Sequence, residues 1–437
     1  MDNITHSVIG LGVGELLHRS LPPEPQAPAQ RTRRALFLFS AWFASNAPDL
    51  DLLLTTLLPR PFGYMLHHRG HTHTLLLALP QALLLLALLW LLWPGARRLL
   101  KDSAPARLGL AACLLLGFCL HMGMDFLNSY GLHPFYPFNS RWLYGDMVFI
   151  VEPMFWVLLG VPVIMSLRYG IVKSVLLAGL AAALCFFTYK TYLAPASLAF
   201  LLALGVLLAV LQGRAGERGR GALLLAFALA ATFIGTQGVA SAIGRGRIEA
   251  AVQRLDPGTR VWDVAMTAFP SSPLCWIYVS LDSKTDVYTL RRGTLSLLPA
   301  LLAPAACPAG LAETSKQGQQ LAPGIAVAVQ AQGSLSTLRA LQSDNCYADA
   351  WLRFARMPRL KADKLTDVRF NPGMLPNFTT VELQQFHGRA CPAYVPGWER
   401  PRADMLAQPA HGVNSIDIAL RKNIVCALTL PWPSMRH

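Results

Sequence analysis

His67–Trp93 reads HHRGHTHTLLLALPQALLLLALLWLLW, and its two parts call for different surroundings. Thr74 to Trp93 carries no charged residue. A bilayer core of roughly 30 Å is crossed by about 20 apolar residues in a helix, so this run reads as a membrane span. The seven residues before it hold four imidazoles, His67, His68, His71 and His73. Imidazole at the edge of an apolar span is costly unless it shares a proton or a cation, which makes the segment a functional site by default.

The rest of the chain supports both halves of that reading. Its 437 residues are 53% hydrophobic and only 14% charged, too apolar for an ordinary soluble enzyme of this size. Further spans are expected at Leu108 to Leu132, Val148 to Leu167, Gly170 to Tyr189, Leu193 to Gln212 and Gly221 to Ile243. Met1-Asp2-Asn3 lacks the basic start of a secretory signal, so insertion is expected to rest on the first membrane helix. Two weaker helical segments precede the long run, Asp2 to His18 and Ala35 to Leu58, the second interrupted at Asn46-Ala47-Pro48-Asp49. Proline lacks the amide donor and disfavours helix in the residue before it, so a break near Ala47 is expected beside Asp49 and Asp51. Freed backbone groups at membrane depth need a polar recipient, which turns this break inward.

Basic residues set the orientation. With Arg97, Arg98, Lys101 and Arg107 on the cytoplasmic side, alternation places Arg19, Arg31, Arg33, Arg34, Arg168, Lys173, Arg214, Arg218 and Arg220 there too. The opposite short loops hold Arg60, Arg69, Arg141 and Lys190, an asymmetry of 13 to 4 that follows the positive-inside rule. The tail from Gly244 is then extracytoplasmic. The net charge of +14 is largely this topology and its anionic lipid, not a nucleic-acid surface.

That orientation also aligns the acids and histidines in depth. Eight of the eleven histidines lie in the first 133 residues. At 1.5 Å per residue, His121 is about 20 Å and Asp125 about 26 Å from Leu108, close to the outer boundary. Glu152, the His67–His73 segment and His6 fall at the outer ends of their own helices. His121 and Asp125 share a helix face at i,i+4 spacing, which suits a shared ligand, and an unpaired Asp below the membrane surface costs roughly 3 kcal/mol or more. Within the histidine segment, His68 and His73 are preferred as ligands over His67 and His71. Asp49 and Asp51 can converge on one cation or bridge two, although D-x-D is also a common cap or turn. His6 alone is as easily a helix-start group, and Glu152-Pro153 as easily a hydrogen-bond partner at a kink as a ligand.

These segments, taken in order, resemble a known family. DNITHSxxG at the start, APDLD, HRGHTH before a long apolar span, HMGMD within the next and GDMVFIVEP are similar to the bacterial LexA-binding, inner-membrane-associated metal-dependent hydrolases (YdjM-like) over roughly residues 1 to 160. Ala268–Trp276 and the Trp351-Leu-Arg-Phe-Ala-Arg stretch are similar to the tail of the longer members. The resemblance implicates His6, Asp49, Asp51, His68, Arg69, His73, His121 and Asp125. It departs at Glu152, where longer members tend to have aspartate, and at His71, an addition within the motif. A more distant similarity of the T-H and P-D motifs to zinc-dependent phospholipase C and P1-type nucleases suggests phosphoester chemistry.

The expectation is therefore a mainly α chain. A polytopic helical membrane domain, residues 1–243, carries a metal site near its outer face, and a small extracytoplasmic α/β domain, residues 244–437, follows and caps it. Ligands are drawn from His6, Asp49, Asp51, His68, His73, His121, Asp125 and Glu152. A set rich in His and Asp suits zinc, or manganese, as one or two ions and conceivably three. Asp49 or Asp51 would bridge metals or act as general base, and Arg69 would hold an anionic substrate group. The function expected is metal-dependent hydrolysis of a phosphoester or ester in a lipid or lipid-linked substrate, in the bacterial inner membrane, with the bilayer as partner and no nucleic acid. A metal transporter or a regulatory membrane protein with a structural metal are the alternatives. The transporter should show polar residues through the full membrane depth.

In the tail, Val261–Met266, Trp276–Leu281 and Asp286–Leu290 read as strands, with Asp282–Thr285 as a hairpin turn. Residues 303–333 read as a loop and Leu338 to Arg356 as helix. Cys275, Cys307, Cys346, Cys391 and Cys426 leave room for one or two disulfides of unassigned pairing, while Cys113, Cys119 and Cys185 read as packing groups in spans.

Overall fold

A computed structural model describes residues 1–216, 219–311 and 319–407; Arg218 and Cys426, named above, lie outside these residues. The chain opens with α1 (Asn3–Ser20) and α2 (Ala27–Ala44). Asp2 starts α1 by accepting from the Thr5 amide at 2.9 Å. Pro48 ends the second helical run as the sequence requires: a 3₁₀ turn covers Ala47–Leu50, and the short α3 (Asp51–Thr55) and α4 (Phe62–His67) follow. A second 3₁₀ turn, His71–His73, leads through the capping hydroxyl of Thr74 into α5 (Leu75–Leu92). Next come α6 (Pro94–Asp102) and α7 (Ala104–Phe126).

After α7 the chain folds back, with the amides of Gly145 and Met147 donating to the carbonyls of Phe126 and Leu127 at 2.7 Å. The span expected at Val148 to Leu167 is shorter than the sequence suggests. It is α8 (Pro153–Phe155) and α9 (Val161–Met165) joined by a π-turn at Trp156–Gly160, too short to cross a bilayer because residues 148–152 are spent on the fold-back. Then come α10 (Gly170–Tyr189), α11 (Pro195–Arg214) and α12 (Gly221–Leu255). Five helices, α5, α7, α10, α11 and α12, are long and apolar enough to cross a membrane. α12 runs unbroken through residue 243, where the domain boundary was expected, and carries the chain out to the sheet.

Close backbone contact holds α1, α2 and α7 together. A Cβ on Gly10 of α1 would sit 2.6 Å from the Ala41 carbonyl oxygen of α2, and one on Gly117 of α7 would sit 2.5 Å from the Ala44 Cβ. Small residues at such crossings bring helix axes, and the side chains one turn away, into contact. His6 and His121 are such side chains.

The two ends of the bundle differ in chemistry. At one end Arg19 donates to the carbonyls of Gly216 and Gly219 and to Ser166 Oγ, Arg34 donates to the Ser166 carbonyl, and Ser103 Oγ donates to Glu24. This gathers the loops that the charge count assigned to a single side. The other end carries the sheet.

Strands β1 (Arg260–Phe269), β2 (Ser272–Lys284), β3 (Val287–Ser296), β4 (Gln319–Ala322) and β5 (Ile325–Ser334) form an antiparallel sheet in the order β1-β2-β3-β5-β4. Its β1–β2 turn rests on the helices: Ser271 donates from its amide and hydroxyl to Glu152, and Ser197 Oγ donates to the Ser271 carbonyl. The β2–β3 turn lies at the opposite end of β2. β6 (Pro358–Lys361), β7 (Lys364–Asp367) and β8 (Val381–Glu382) make a smaller antiparallel sheet. With every described pairing antiparallel, the tail is of α+β rather than βαβ character.

Three details of the tail depart from the sequence reading. The hairpin turn expected at Asp282–Thr285 falls at Thr285–Asp286, because β2 runs on through Lys284. Residues 303–333, expected as loop, contain β4 and most of β5, whose Ala and Gln residues hide a strand that pairs with β3 along its length. The helix expected at Leu338 to Arg356 is two, α13 (Leu335–Asp344) and α14 (Cys346–Leu352), because Asn345 leaves helical geometry and caps the second through the amides of Tyr347 and Ala348. Disulfides join Cys275 to Cys307 and Cys346 to Cys391. A buried ion network locks sheet to bundle. Arg356 binds Asp146 and Asp263, and Arg245 of α12 binds the same two carboxylates.

Candidate metal centre

Four elements meet beneath the sheet. α1 brings His6, the 3₁₀ turn at Pro48 brings Asp49 and Asp51, the segment before α5 brings His68, Arg69 and His73, and α7 brings His121 and Asp125; all are buried. Donor atoms of Asp49, His73, His121 and Asp125 lie within 4.8 Å of one another, and those of Asp49, Asp51 and His68 form a second such group. Asp49 belongs to both.

Imidazole orientation is set from outside the cluster. His121 Nδ1 lies 2.8 Å from the carbonyl of Ser45, where only an N–H is favourable. Its Nε2 therefore presents a lone pair to Asp125 Oδ2 at 3.5 Å and Asp49 Oδ1 at 3.8 Å. His73 repeats the pattern: Nδ1 faces Thr72 Oγ1 at 3.0 Å and Asp51 Oδ2 at 3.3 Å, leaving Nε2 at 3.2 Å from Asp49 and 3.3 Å from Asp125. His6 stacks on His121 with ring centroids 4.0 Å apart and puts Nε2 3.3 Å from Asp125 Oδ1. Holding one ring nitrogen so that the other is free is how proteins orient metal-binding histidines.

His6 Nε2, His121 Nε2 and Asp125 Oδ2 are buried and make no hydrogen bond. Each such atom costs about 1–3 kcal/mol if left unsatisfied. His121 and Asp125 belong to the first group with His73 and Asp49, a donor set that suits a divalent cation, whereas His6 stacks on His121 and reaches Asp125 Oδ1 without joining either group. On the same carboxylate, the Met1 amino group contacts Asp125 Oδ1.

Electrostatics outside the spans agree. Burial works against ionisation of Asp49, yet the hydrogen bond from His73 and the nearby His121 outweigh it and hold the carboxyl at about 2. Asp51 is driven lower still by His68 and His73, again against its burial. His73 is buried, which disfavours its cation, but Asp125, Asp49 and Asp51 together raise it to about 10. Three carboxylates thus gather around the His73 imidazole, one of them also held by Arg69.

The second group is arranged differently. Asp51 Oδ1 is 3.0 Å from His68 Nδ1, and Asp51 Oδ2 accepts from the Arg69 amide and the Thr72 hydroxyl. Arg69 adopts φ +56°, an uncommon conformation for a residue with a side chain, and this bend delivers its amide to Asp51. Its guanidinium is turned inward, onto Asp125 Oδ1 at 2.9 Å, Asn128 Oδ1 at 3.0 Å and the Tyr130 ring at 4.7 Å. In this geometry it supports Asp125; the substrate-holding role expected of it has no open face to act from.

Glu152 is not brought to either group. Its carboxylate accepts from the amides of Met154 and Ser271 and from Ser271 Oγ, so it joins the helices to the sheet. Half-buried His67 and exposed His71 also stay outside, His71 lying against Trp398 and Tyr136. Sequence reasoning missed Thr72, Asn128 and the Ser45 carbonyl. Thr72 was within reach, as the residue between two ligand-type histidines; Asn128 and Ser45 have no local signal, because only the fold sets them against Arg69 and His121.

Residues 1–195 match the family described as YdjM inner membrane protein, a stretch that contains every residue of both groups. The uncharacterized protein YfhP of Bacillus subtilis (strain 168) is 26% identical over 157 residues, covering 36% of this chain and 43% of that relative. The chain thus matches less than half the length of that relative. No solved structure matches. The part of the chain that holds the buried Asp/His groups is similar in sequence to an inner-membrane protein family, and with five helices fit to cross a bilayer the chain is a membrane protein.

Proposed function

We propose that the chain is a membrane metal-dependent hydrolase acting on a phosphoester or ester of a lipid or lipid-linked substrate. The observation that carries this reading is the buried convergence of Asp49, His73, His121 and Asp125, in which His121 Nε2 and Asp125 Oδ2 make no hydrogen bond, beside a second group that shares Asp49. Asp49, His73, His121 and Asp125 would hold one divalent ion, and Asp49, Asp51 and His68 a second. Bound zinc, or manganese, supplies Lewis acidity and a nucleophilic water at neutral pH, and a pair of ions suits phosphoester chemistry.

The chain's own groups fill the other roles. Asp51 holds the His68 ring through Nδ1, at 3.0 Å, and so fixes its orientation beside Asp49. Arg69 and Asn128 keep Asp125 from rotating out of the cluster. Asp49 and Asp51, both held strongly acidic, fit ligand duty better than that of a general base, whose optimum lies near the working pH. The second group offers three donors, which leaves a coordination position that a closed structural site would not.

Two features favour an extracytoplasmic site in the inner membrane. The basic loops gather at the end of the bundle away from the sheet, and the sheet end carries two disulfides.

The test is elemental analysis of the purified full chain together with turnover of bis(p-nitrophenyl) phosphate, p-nitrophenyl phosphate and p-nitrophenyl acetate. The expected result is tightly held metal and turnover of at least one probe that chelation, His121→Ala and Asp125→Ala each abolish. Turnover that survives both substitutions overturns the proposal, and tightly held metal without turnover of any class assigns the centre a structural role instead.

A further inference from the structure

Segment 50–57 is amphipathic with its faces reversed. Leu50, Leu53, Leu54 and Leu57, at i, i+3, i+4 and i+7, are 51%, 69%, 62% and 80% exposed, whereas Asp51 and Thr55 on the other face are buried. Leaving a leucine in water forgoes about 1.5–3 kcal/mol of burial, so four on one helical stripe require an apolar surrounding. They project from the same backbone that carries Asp49 and Asp51 into the metal centre.

An aromatic pair continues this surface on the other side of the second group. Tyr64 stacks on His68 with centroids 4.9 Å apart, and Phe378 of the tail meets Tyr64 edge-on at 5.3 Å. Tyr64 is 38% and Phe378 41% exposed, while the ligand-type groups behind them are sealed. Phe378 thus carries an apolar ring from the tail to Tyr64 and, through it, to His68 at the edge of the second group.

We propose that the Leu50–Leu57 stripe and the Tyr64–Phe378 pair form one lipid-facing rim. It seats a glycerophospholipid of the leaflet nearest the sheet domain, with the headgroup directed to the Asp51–His68 edge. The stripe lies in the interface as monotopic amphipathic helices do. The exposed leucines of segment 50–57 precede the exposed Leu75 and Leu76 that open α5, a helix long and apolar enough to cross a bilayer, and this favours lipid over protein as the occupant. The inference rests on the hydrolase reading only for its last step, headgroup delivery; the rim itself is a matter of contact.

Photocrosslinking tests contact without turnover. The full chain carrying p-benzoylphenylalanine at Leu53, Phe378 or Val287 is placed in vesicles of phosphatidylethanolamine and phosphatidylglycerol, irradiated and examined by mass spectrometry for lipid adducts. Val287 is the control: it is 43% exposed and in the same domain as Phe378, but begins β3 at the hairpin end opposite the β1–β2 turn that rests on Glu152 and Ser197. Leu53 and Val287 are exposed, and at Phe378, whose ring also meets Phe370, the probe replaces one aromatic ring with another; circular dichroism confirms that each variant folds. The expected result is lipid adducts at 53 and 378, severalfold above 287. Adducts at 378 no more abundant than at 287 overturn the rim, whatever the esterase assays show. Adducts at 378 in a protein that hydrolyses nothing retain the rim and sink the hydrolase reading alone.

Discussion

Replacing His121 by alanine removes one of the four donors of the first group and leaves the Ser45 carbonyl without its ring N–H. Zinc held by four protein ligands contributes about 10–16 kcal/mol, or about 2.5–4 kcal/mol per ligand. At 1.4 kcal/mol per decade, His121→Ala should weaken zinc binding by about 10²–10³-fold. The measurement is competition against a fluorescent chelator of known affinity, on metal-stripped protein in detergent, with circular dichroism to confirm the helices. Asp125→Asn serves as a second variant of nearly the same shape, and His71→Ala as a control, since His71 lies against Trp398 and outside both groups. Were His121→Ala and Asp125→Asn both to hold zinc as tightly as the parent chain, His121 and Asp125 would not be ligands, and the lack of partners at their inward atoms would need another cause.

Other consequences are equally specific. Arg369 donates to the Ser129 and Tyr130 carbonyls from the tail, so Arg369→Leu should lower zinc affinity by about 10–100-fold, the usual effect of losing outer support, without altering the ligand set seen by X-ray absorption. Burial raises the Glu152 carboxyl to about 7, with Ser271 and Met154 opposing it, so the folded state holds this proton more tightly than the unfolded chain. Stability from this group is full below pH 4.5 and declines as pH rises through 7, by about 3 kcal/mol at most; thermal melts from pH 5 to 8 should show the slope, and Glu152→Gln should flatten it. Opening the 45-residue loop closed by Cys346–Cys391 with Cys346→Ser and Cys391→Ser should cost about 4 kcal/mol or less by chain entropy, read from the melting of the tail under non-reducing conditions.

Long-period features were the legible ones. The charge-free run before Trp93 reads directly as α5, and i,i+4 spacing puts His121 and Asp125 on one face because a helix enforces it. Pro48 announces the break that turns Asp49 and Asp51 inward. What stayed hidden depends on partners distant in sequence. Glu152 reads equally as a ligand or as a hydrogen-bond partner at a kink, and only the turn 119 residues later, which supplies its partner Ser271, decides between them. β5 was hidden because Ala and Gln carry no strand preference until β3 lies beside them. Arg69 matched the motif, but only Asn128 and Tyr130, placed by the fold-back after α7, reveal which way its side chain turns.

That fold-back gives the tail a part in holding the Asp/His cluster in place. Asp125 is held by Arg69, Arg69 by Asn128, and the loop carrying Asn128 by the Arg369 guanidinium on its Ser129 and Tyr130 carbonyls. Arg369 is in turn fixed by Asp367, and its neighbour Arg356 ties the same region to Asp146, in the loop that returns from α7. A carboxylate inside the helical domain therefore owes its orientation to arginines more than 200 residues later in the chain. Phe378, between these arginines and Tyr64, reaches the exposed edge of the cluster from the same small sheet region. Were the tail a passive lid, its contacts would fall on the rim alone; instead they reach the backbone beside Asp125, so undocking the sheet would loosen a ligand as well as open the site.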